Sequence, residues 1–263
     1  MLSTVLRHAG GVRVDHILGL FRLYWIPRMA SPLTGTYVSY DFEAMVGILA
    51  LEAQRAGAVV IGEDLGTVEP WVQDVLAQKA VLGTSIVWFE HDDDDYSPLP
   101  QEKYRQLALS SVNTHDLPPT LAYLRGDHIS LRAHLGVLTR SVEEEQRDDI
   151  EWQARVLAAV ADRGLLPQRD YLVDPAERAS RGAEEDISEA LHRYIVGTPS
   201  ALAYTSLVDM VGDVRAQNQP GTTHDLYPNW CMPLCDTNGA PLLIEDLPSL
   251  EFFQRLEATS RKA

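Results

Sequence analysis

The sequence predicts an α/β fold with a helical insertion, and two observations indicate this class. Between residues 11 and 116, short apolar segments alternate with amphipathic segments at helical spacing, which is typical of a parallel sheet with crossover helices. Between residues 127 and 181, charged amphipathic segments follow one another without a strand signal. We therefore expect one α/β domain over residues 1–263, with residues 127–181 as a helical insertion within it.

Four strands are predicted before the insertion, and three of them end on a carboxylate. Asp15 follows the first strand, Glu63 follows the second and Asp116 follows the fourth. In a closed α/β barrel the active site is built from loops at the carboxyl ends of the strands, so these positions indicate chemistry. The strands cover residues 11–14, 58–61, 84–89 and 111–114, and no element is predicted ahead of the first.

The helices are predicted from capping residues and apolar spacing. Asp41 is placed to cap a helix that runs to about Ala56, and Gly57 is placed to end it. The aromatic-rich residues 20–40 before this helix are predicted to form a loop, and a last strand is predicted over residues 201–211. Further helices are predicted over residues 69–79, 101–109, 142–161, 185–195 and 250–259.

Composition restricts the partners and the compartment. The formal net charge of −16, from 22 Lys and Arg against 38 Asp and Glu, would repel phosphate backbones and anionic lipid surfaces. We therefore expect a neutral substrate, and neither a nucleic acid nor a membrane as partner. Cys231 and Cys235 form neither a disulfide framework nor a complete metal site, which fits a reducing, cytoplasmic location.

The carboxylates match the needs of glycoside chemistry with retention. Such chemistry uses two carboxyl groups about 5–5.5 Å apart, one as nucleophile and one as acid and base. The ends of neighbouring strands would supply this separation for Asp15 and Glu63. Arg13 projects to the same side of its strand as Asp15, where it would bind that carboxylate by a charge-assisted hydrogen bond.

Two of these carboxylates have a competing interpretation. Asp64 competes with Glu63, because adjacent residues leave a strand in opposite directions and only one of them faces the site. Asp116 is also placed to cap a helix that begins around Pro118.

Several histidines, an acidic run and a group of aromatic residues are further candidates for metal or sugar binding. A zinc site made by His16, His115 and His224 lacks paired-ligand spacing, and the acidic residues 92–95 lack the spaced oxygens and turn glycine of a calcium loop. His16 and His115 either contact sugar or are satisfied by hydrogen bonds at the strand ends. The aromatic residues Tyr24, Trp25, Tyr37 and Tyr40 either stack on sugar or pack within their loop.

Four segments occur in a recognisable order: GVRVDH at residues 11–16, VIGEDLGT at 60–67, NTHD at 113–116, and NQPGT with YPNW within 218–230. They resemble the fourth-, fifth- and seventh-strand motifs and the loop after the eighth strand of glycoside hydrolase family 77, the 4-alpha-glucanotransferases of amylomaltase type. The first and third elements also occur in the wider alpha-amylase clan, whereas the other two favour the glucanotransferase branch. The resemblance implies the C-terminal portion of a TIM (β/α)8 barrel, without the first three strands.

The resemblance also implies a role for each matching residue. Asp15 is the implied nucleophile, Glu63 the acid/base, and Asp116 the third carboxylate, which stabilises the transition state. Arg13 would hold the nucleophile. The implied substrate-binding residues are Arg13, His16, His115, Asn218 and Trp230.

The implied reaction transfers a segment of alpha-1,4-glucan to the 4-hydroxyl of glucose or another glucan. The donors are maltooligosaccharides, starch or glycogen, and no metal or organic cofactor is implied. The alternatives are a hydrolase or branching enzyme of the alpha-amylase clan, and an inactive truncated or glucan-binding module. Because a partial barrel would expose sheet edges and apolar faces, we expect the 263 residues alone to be inactive or poorly soluble.

Overall fold

The computed structural model of the protein describes residues 1–92 and 94–261. The chain forms two compact units. The first unit comprises Met1–Ser85, Arg105–Leu109 and Ser200–Leu202, and the second comprises Ile86–Tyr104, Ser110–Pro199 and the residues from Ala203 onward. Helices and strands are mixed along the chain, which confirms the α/β class.

The elements of the described chain are labelled in chain order. The helices are α1 (Leu2–Leu6), α2 (Phe42–Ala56), α3 (Pro70–Gln78), α4 (Thr120–Arg125), α5 (Asp127–His134), α6 (Val142–Asp162), α7 (Glu184–Val196), α8 (Leu207–Met210) and α9 (Glu251–Thr259). The strands are β1 (Gly11–Val14), β2 (Arg22–Trp25), β3 (Thr36–Ser39), β4 (Val59–Gly62), β5 (Gly83–Ile86), β6 (Ala108–Ser111) and β7 (Leu202–Tyr204).

Two parallel strands joined by a helix form the centre of the first unit. Strands β1 and β4 pair in parallel, with Gly11 opposite Val59 at one end and Val14 opposite Gly62 at the other. Helix α2 makes the crossover between them, as expected for a parallel pair. The same pairing aligns the carboxyl ends of both strands.

The bounds of α2 follow from its capping residues, as predicted. The Asp41 carboxylate accepts a hydrogen bond from the backbone N–H of Ala44 at 3.1 Å, and Gly57 ends the helix in the left-handed region at φ +62°. The helix buries Val46, Leu49 and Ala53 in the core of this unit. Full burial of such a Val or Leu side chain contributes about 1.5–3 kcal/mol.

An element does precede β1, so the expectation that none would is wrong. Helix α1 lies ahead of the first strand and packs against α2. Its Leu6 is buried in the same core as Val46 and Leu49. The short helix was missed because its five residues are too few to show an apolar period.

Residues 20–40 form a hairpin where a loop was predicted. Strands β2 and β3 pair antiparallel, with Tyr24 opposite Tyr37 and their ring centroids 5.1 Å apart. Cross-strand aromatic pairs of this kind stabilise a two-stranded sheet. The turn between the strands contains a 3-10 segment, Pro32–Thr34.

Two other predicted elements differ from the structure, one in type and one in length. Residues 101–109 contain a 3-10 turn, Gln101–Lys103, followed by β6, so the strand predicted at 111–114 lies earlier in the chain. Residues 201–211 hold only a short strand, because Ser206 caps α8 by accepting the backbone N–H of Asp209. A three-stranded sheet has the order β5-β6-β7.

The second unit is mainly helical. Residues 127–181 contain α5, α6 and a 3-10 segment, Pro175–Arg181, and no strand occurs among them. Helix α6 begins with a capping box, in which the Ser141 hydroxyl and the Glu144 carboxylate each bind the other residue's backbone N–H. None of the helices in the described ranges is long and apolar enough to cross a membrane.

A buried ionic group ties the helical segment together. Arg178 lies 2.7 Å from the Asp149 carboxylate, and Arg181 donates to the Gln153 side chain at 2.8 Å. Burial, together with the neighbouring Arg178, lowers the pKa of Arg181 to about 10.

Candidate active site

In the first unit, Asp15 and Glu63 occupy equivalent positions on neighbouring strands. Asp15 follows Val14 and Glu63 follows Gly62, and these two residues are the last opposed pair of β1 and β4. Backbone bonds extend the pairing by one step, since Glu63 N donates to Val14 O at 2.9 Å and Ile17 N donates to Glu63 O at 2.9 Å. Both carboxylates therefore leave the same edge of the sheet.

Arg13 binds Asp15, as the sequence predicts from their spacing. Its Nη1 lies 2.7 Å from Asp15 Oδ1. The Asp15 side chain is 60% exposed, so the carboxylate is open to solvent and to a ligand. The guanidinium fixes the direction of a carboxylate that would otherwise rotate.

Two backbone amides hold the carboxylate of Glu63. His16 N donates to Oε2 and Leu65 N donates to Oε1, each at 2.8 Å. His16 makes this bond from the left-handed region, with φ +45°, which is unfavourable for a residue with a Cβ. The residue predicted as a sugar contact therefore holds Glu63 through its main chain, and no sequence signal reveals this.

Asp64 takes a different direction from Glu63, as expected for adjacent residues at a strand end. Its side chain is buried and lies 2.6 Å from Arg105 Nη1. It also accepts the backbone N–H of Thr84 at 2.8 Å. Of the two adjacent carboxylates, Glu63 is the more exposed.

In the second unit, Asp116 and three further predicted residues form a connected group. Asn218 Nδ2 donates to Asp116 Oδ1 at 2.6 Å, and His115 Nε2 lies 3.3 Å from Asp116 Oδ2. The rings of His115 and Trp230 are 5.3 Å apart between centroids. The structure thus brings together four residues from two segments about 100 positions apart, as the 102-residue separation of Asn218 from Asp116 shows.

The alternative role of Asp116 as a helix cap is wrong. Helix α4 begins at Thr120, and its first amide is bound by a distant residue, since Thr120 N and Oγ1 each donate to the Asp209 carboxylate at 2.7 Å. Asp116 is exposed and keeps an oxygen bound to Asn218.

The loop that carries Asn218 and Trp230 is held by its own side chains. Asn229 accepts the backbone N–H of Gln219 at 2.7 Å and donates to the Thr222 hydroxyl at 2.9 Å. The Tyr227 hydroxyl donates to the Ala216 carbonyl at 2.7 Å. Trp230 is 63% exposed, with φ +61°, so the loop presents this ring to solvent.

The aromatic residues of the hairpin are fixed by bonds within it. Trp25 Nε1 donates to the Tyr40 hydroxyl at 2.7 Å, and the Tyr24 hydroxyl donates to the Pro32 carbonyl at 2.9 Å. The polar atoms of Tyr24, Trp25 and Tyr40 are thus bound within the segment, while Trp25 and Tyr37 stay more than half exposed.

The structure offers no built metal centre within residues 1–92 and 94–261. No group of three or more His, Cys, Asp or Glu side chains there is arranged to hold a metal ion. In the acidic loop, Asp92 binds Lys103 at 2.7 Å, and this bond lowers the pKa of the Asp92 carboxyl. Asp93 of this loop lies outside the described residues.

A family model and a curated relative with the same description, 4-alpha-glucanotransferase, match this chain. The family model described as 4-alpha-glucanotransferase matches residues 1–237. A 4-alpha-glucanotransferase of Mycobacterium tuberculosis is 52% identical over 269 aligned positions, which cover 100% of this chain and 35% of the relative.

Two solved structures of amylomaltases are similar to this chain. The crystal structure of amylomaltase from Corynebacterium glutamicum superposes with a TM-score of 0.95 at 57% identity, covering 100% of this chain and 37% of the other. An amylomaltase from Streptococcus agalactiae, solved with acarbose, shares the fold with a TM-score of 0.60 at 18% identity, covering 98% of this chain and 42% of the other.

The chain spans about a third of the length of the relatives that it matches. Its four sequence motifs, its paired carboxylates and the family match over residues 1–237 all agree. The chain therefore belongs to the 4-alpha-glucanotransferase family, glycoside hydrolase family 77.

Proposed function

We propose that the protein carrying this chain is a retaining 4-alpha-glucanotransferase with Asp15 as nucleophile and Glu63 as acid/base. The observation that supports this most is the pairing of Val14 with Gly62 in adjacent parallel strands. Asp15 and Glu63 directly follow these two residues, so both carboxylates lie at the same end of the strand pair. Neighbouring strand ends suit the separation of about 5–5.5 Å that a retaining mechanism uses.

The proposed reaction has two displacements. In the first, Asp15 attacks the anomeric carbon of an alpha-1,4-glucan while Glu63 gives its proton to the leaving glycosidic oxygen. A covalent glycosyl-Asp15 ester forms, and the shortened sugar departs. In the second, Glu63 takes the proton from the 4-hydroxyl of glucose or another glucan, and that oxygen displaces Asp15. Two inversions give net retention.

The remaining site residues would bind and orient the glucan. Arg13 holds the nucleophile through its 2.7 Å contact with Asp15. Asp116, oriented by Asn218, would bind sugar hydroxyls more tightly in the transition state than in the ground state. His16 and His115 would contact sugar hydroxyls, and the exposed ring of Trp230 offers an apolar face.

The family also supports finer proposals about the substrate, the fold and the location. We propose that donors are maltooligosaccharides, starch or glycogen, in line with the acarbose bound by the Streptococcus agalactiae amylomaltase. The chain would form the C-terminal portion of a TIM (β/α)8 barrel, with residues 127–181 as an insertion. The free thiols of Cys231 and Cys235 fit a cytoplasmic location.

We further propose that the 263 residues need the remainder of a longer protein for turnover. The first unit contains a cavity of about 740 Å³ with a largely apolar lining, and Leu51, Val59 and Leu107 of this lining are each more than 40% exposed. Apolar surface of this kind favours association over solubility. Incubation of the purified chain with maltotriose tests the proposal, and robust turnover would contradict it.

The reaction class is tested in the longer protein that carries this chain, with maltotriose as sole substrate. Transfer yields glucose together with maltooligosaccharides longer than maltotriose, whereas products no longer than maltose would indicate a hydrolase. Asp15→Asn is expected to lower the rate by about 10⁴-fold or more, since no nucleophile remains. Asp41→Asn is the matched control, because Asn caps a helix as well as Asp does. An Asp15→Asn variant with unchanged transfer would remove the proposed nucleophile.

A further inference from the structure

The side chain of Asp64 is surrounded by donors although it takes no part in the proposed chemistry. Arg105 reaches it with both terminal nitrogens, Nη1 to Oδ2 at 2.6 Å and Nη2 to Oδ1 at 3.3 Å. Thr84 N donates to Oδ1 at 2.8 Å, and Gln73 Nε2 lies 3.4 Å from Oδ2. Only 2% of the Asp64 side chain is exposed.

The Asp64 carboxylate is buried whereas the Arg105 side chain is 35% exposed. Taking a charge out of water costs roughly as much as its attraction to the partner returns, so an apolar pair of the same volume often serves stability as well. What a forked arginine–carboxylate pair does supply is direction, because both nitrogens must meet both oxygens. The main effect of the Asp64–Arg105 pair is therefore to fix the position of the backbone around residue 64.

The backbone between Glu63 and Asp64 is held by hydrogen bonds on both sides. On one side, Glu63 is bound through its main chain to Val14 O and Ile17 N. On the other, Asp64 is bound to Thr84 of β5, whose hydroxyl also donates to Gly62 O at 3.2 Å. The segment that carries Glu63 is thus held from both neighbouring strands.

Gly83 provides the space for this arrangement. A Cβ at this position would lie 2.6 Å from Arg105 Nη1 and 2.9 Å from Asp64 Oδ2. Contacts below 3.0 Å force one of the groups to move, so a larger residue at position 83 would shift the end of the Arg105 side chain or the Asp64 carboxylate out of the present geometry. A substitution at Gly83 therefore disturbs the geometry of the ion pair while both of its charges are kept.

We propose that Asp64, held by Arg105 and Thr84 against Gly83, is a positioning residue that sets the direction of the Glu63 carboxyl for proton transfer. The proposal rests on the proposed role of Glu63 as acid/base. It assigns to Asp64 no contact with substrate. Its effect is passed through the shared peptide to the neighbouring side chain.

Two substrate pairs distinguish a specific loss of proton transfer from a general loss of folded protein. A maltotriose donor needs a proton on its leaving oxygen and a base for its acceptor, whereas α-maltosyl fluoride with azide as acceptor needs neither. Both reactions are measured in the full protein that carries this chain, for Asp64→Asn and for Gly83→Ala. We expect kcat with maltotriose to fall about 10²-fold, as for a displaced catalytic group, with KM within about twofold. The fluoride–azide rate should fall far less.

Two controls make the outcomes distinct. Glu63→Gln must show the same selective loss more strongly, by about 10²–10⁴-fold. Asp149→Asn removes another buried carboxylate paired with an arginine, Arg178, and should lower the free energy of unfolding without changing the ratio of the two rates.

Each outcome bears on one of the claims. If Glu63→Gln loses both reactions equally, the acid/base assignment of the proposed function fails. If Glu63→Gln is selective but Asp64→Asn and Gly83→Ala lose both rates in parallel with stability, Asp64 is only structural and the inference is overturned. Should Asp64→Asn not fold, Gly83→Ala decides alone, because it keeps every charge. A selective loss in Gly83→Ala would support the inference.

Discussion

The backbone N–H of His16 donates to the carboxylate of Glu63 at 2.8 Å, although the two residues are 47 positions apart. His16 makes this bond from the left-handed region of the backbone, at φ +45°. The strand that ends on one carboxylate thus turns sharply to hold the other. The chain accepts local backbone strain at the point where its proposed chemistry takes place.

This strain gives a first prediction, on stability. His16→Gly and His16→Ala both keep the amide that binds Glu63, but only glycine adopts the left-handed region without strain. We expect the glycine variant to be more stable than the alanine variant by about 1 kcal/mol, measured by urea denaturation. Equal stability of the two variants, or a more stable alanine variant, would show that the position is not strained in solution.

The same two variants separate the main chain of His16 from its ring. Both lack the imidazole that is proposed to contact sugar, so their KM values for maltotriose should rise together. Their kcat values should agree with each other because the bond to Glu63 is retained in both.

Asn218 gives a second prediction, on turnover. Its amide donates to Asp116 at 2.6 Å, a hydrogen bond to a charged group that is worth about 1.5–3 kcal/mol. Asn218→Ala should therefore lower kcat/KM with maltotriose by about 10–10²-fold. Asn218→Asp should lower it further, since two carboxylates would then repel each other. An aspartate variant more active than the alanine variant would contradict the proposed orientation of Asp116.

The buried contact between Thr120 and Asp209 gives a third prediction. The Asp209 carboxylate is 1% exposed and accepts the amide and the hydroxyl of Thr120, each at 2.7 Å. Thr120→Val keeps the shape of the side chain but leaves one carboxylate oxygen without that donor. The free energy of unfolding should fall by about 1–3 kcal/mol, whereas Thr120→Ser, which keeps the hydroxyl, should lose less than about 1 kcal/mol. Guanidinium denaturation of both variants checks the difference.

Tyr104 gives a fourth prediction, on alkaline pH. Burial raises the pKa of its hydroxyl well above the usual value of 10, so the folded state keeps a proton that the unfolded state releases. The resulting stabilisation is fully present below pH 10 and is lost as pH rises above it, by about 1.4 kcal/mol per pH unit. Tyr104→Phe removes this term, so its stability should fall less steeply above pH 10 than that of the wild type. The pH dependence of the two should run in parallel below pH 9.

Local patterns in the sequence were sufficient to predict part of this structure. Asp41 and Gly57 bound α2 because capping acts within one turn of the helix. Arg13 meets Asp15 because alternate residues share a face of a strand. The motif at residues 60–67 placed Glu63, whereas its role as acid/base stays a prediction.

Long-range contacts account for what the sequence did not reveal. The first half of β6 was predicted as the end of a helix, since Leu109 is a good helix former and only pairing with other strands favours the extended form. The bond from Arg105 to Asp64 joins residues 41 positions apart, and that from Thr120 to Asp209 joins residues 89 apart. No local pattern marks such partners.

The close packing of Gly83 against Asp64 and Arg105 also has an evolutionary consequence. A carbon added at position 83 would displace the ends of two charged side chains, and loss of either charge removes the ion-pair partner of the other. The three positions are therefore expected to be epistatic, tolerating joint replacement by apolar residues far better than any single change. Libraries for engineering this protein should vary the three positions together, since one-at-a-time mutagenesis would overstate the cost of changing each of them.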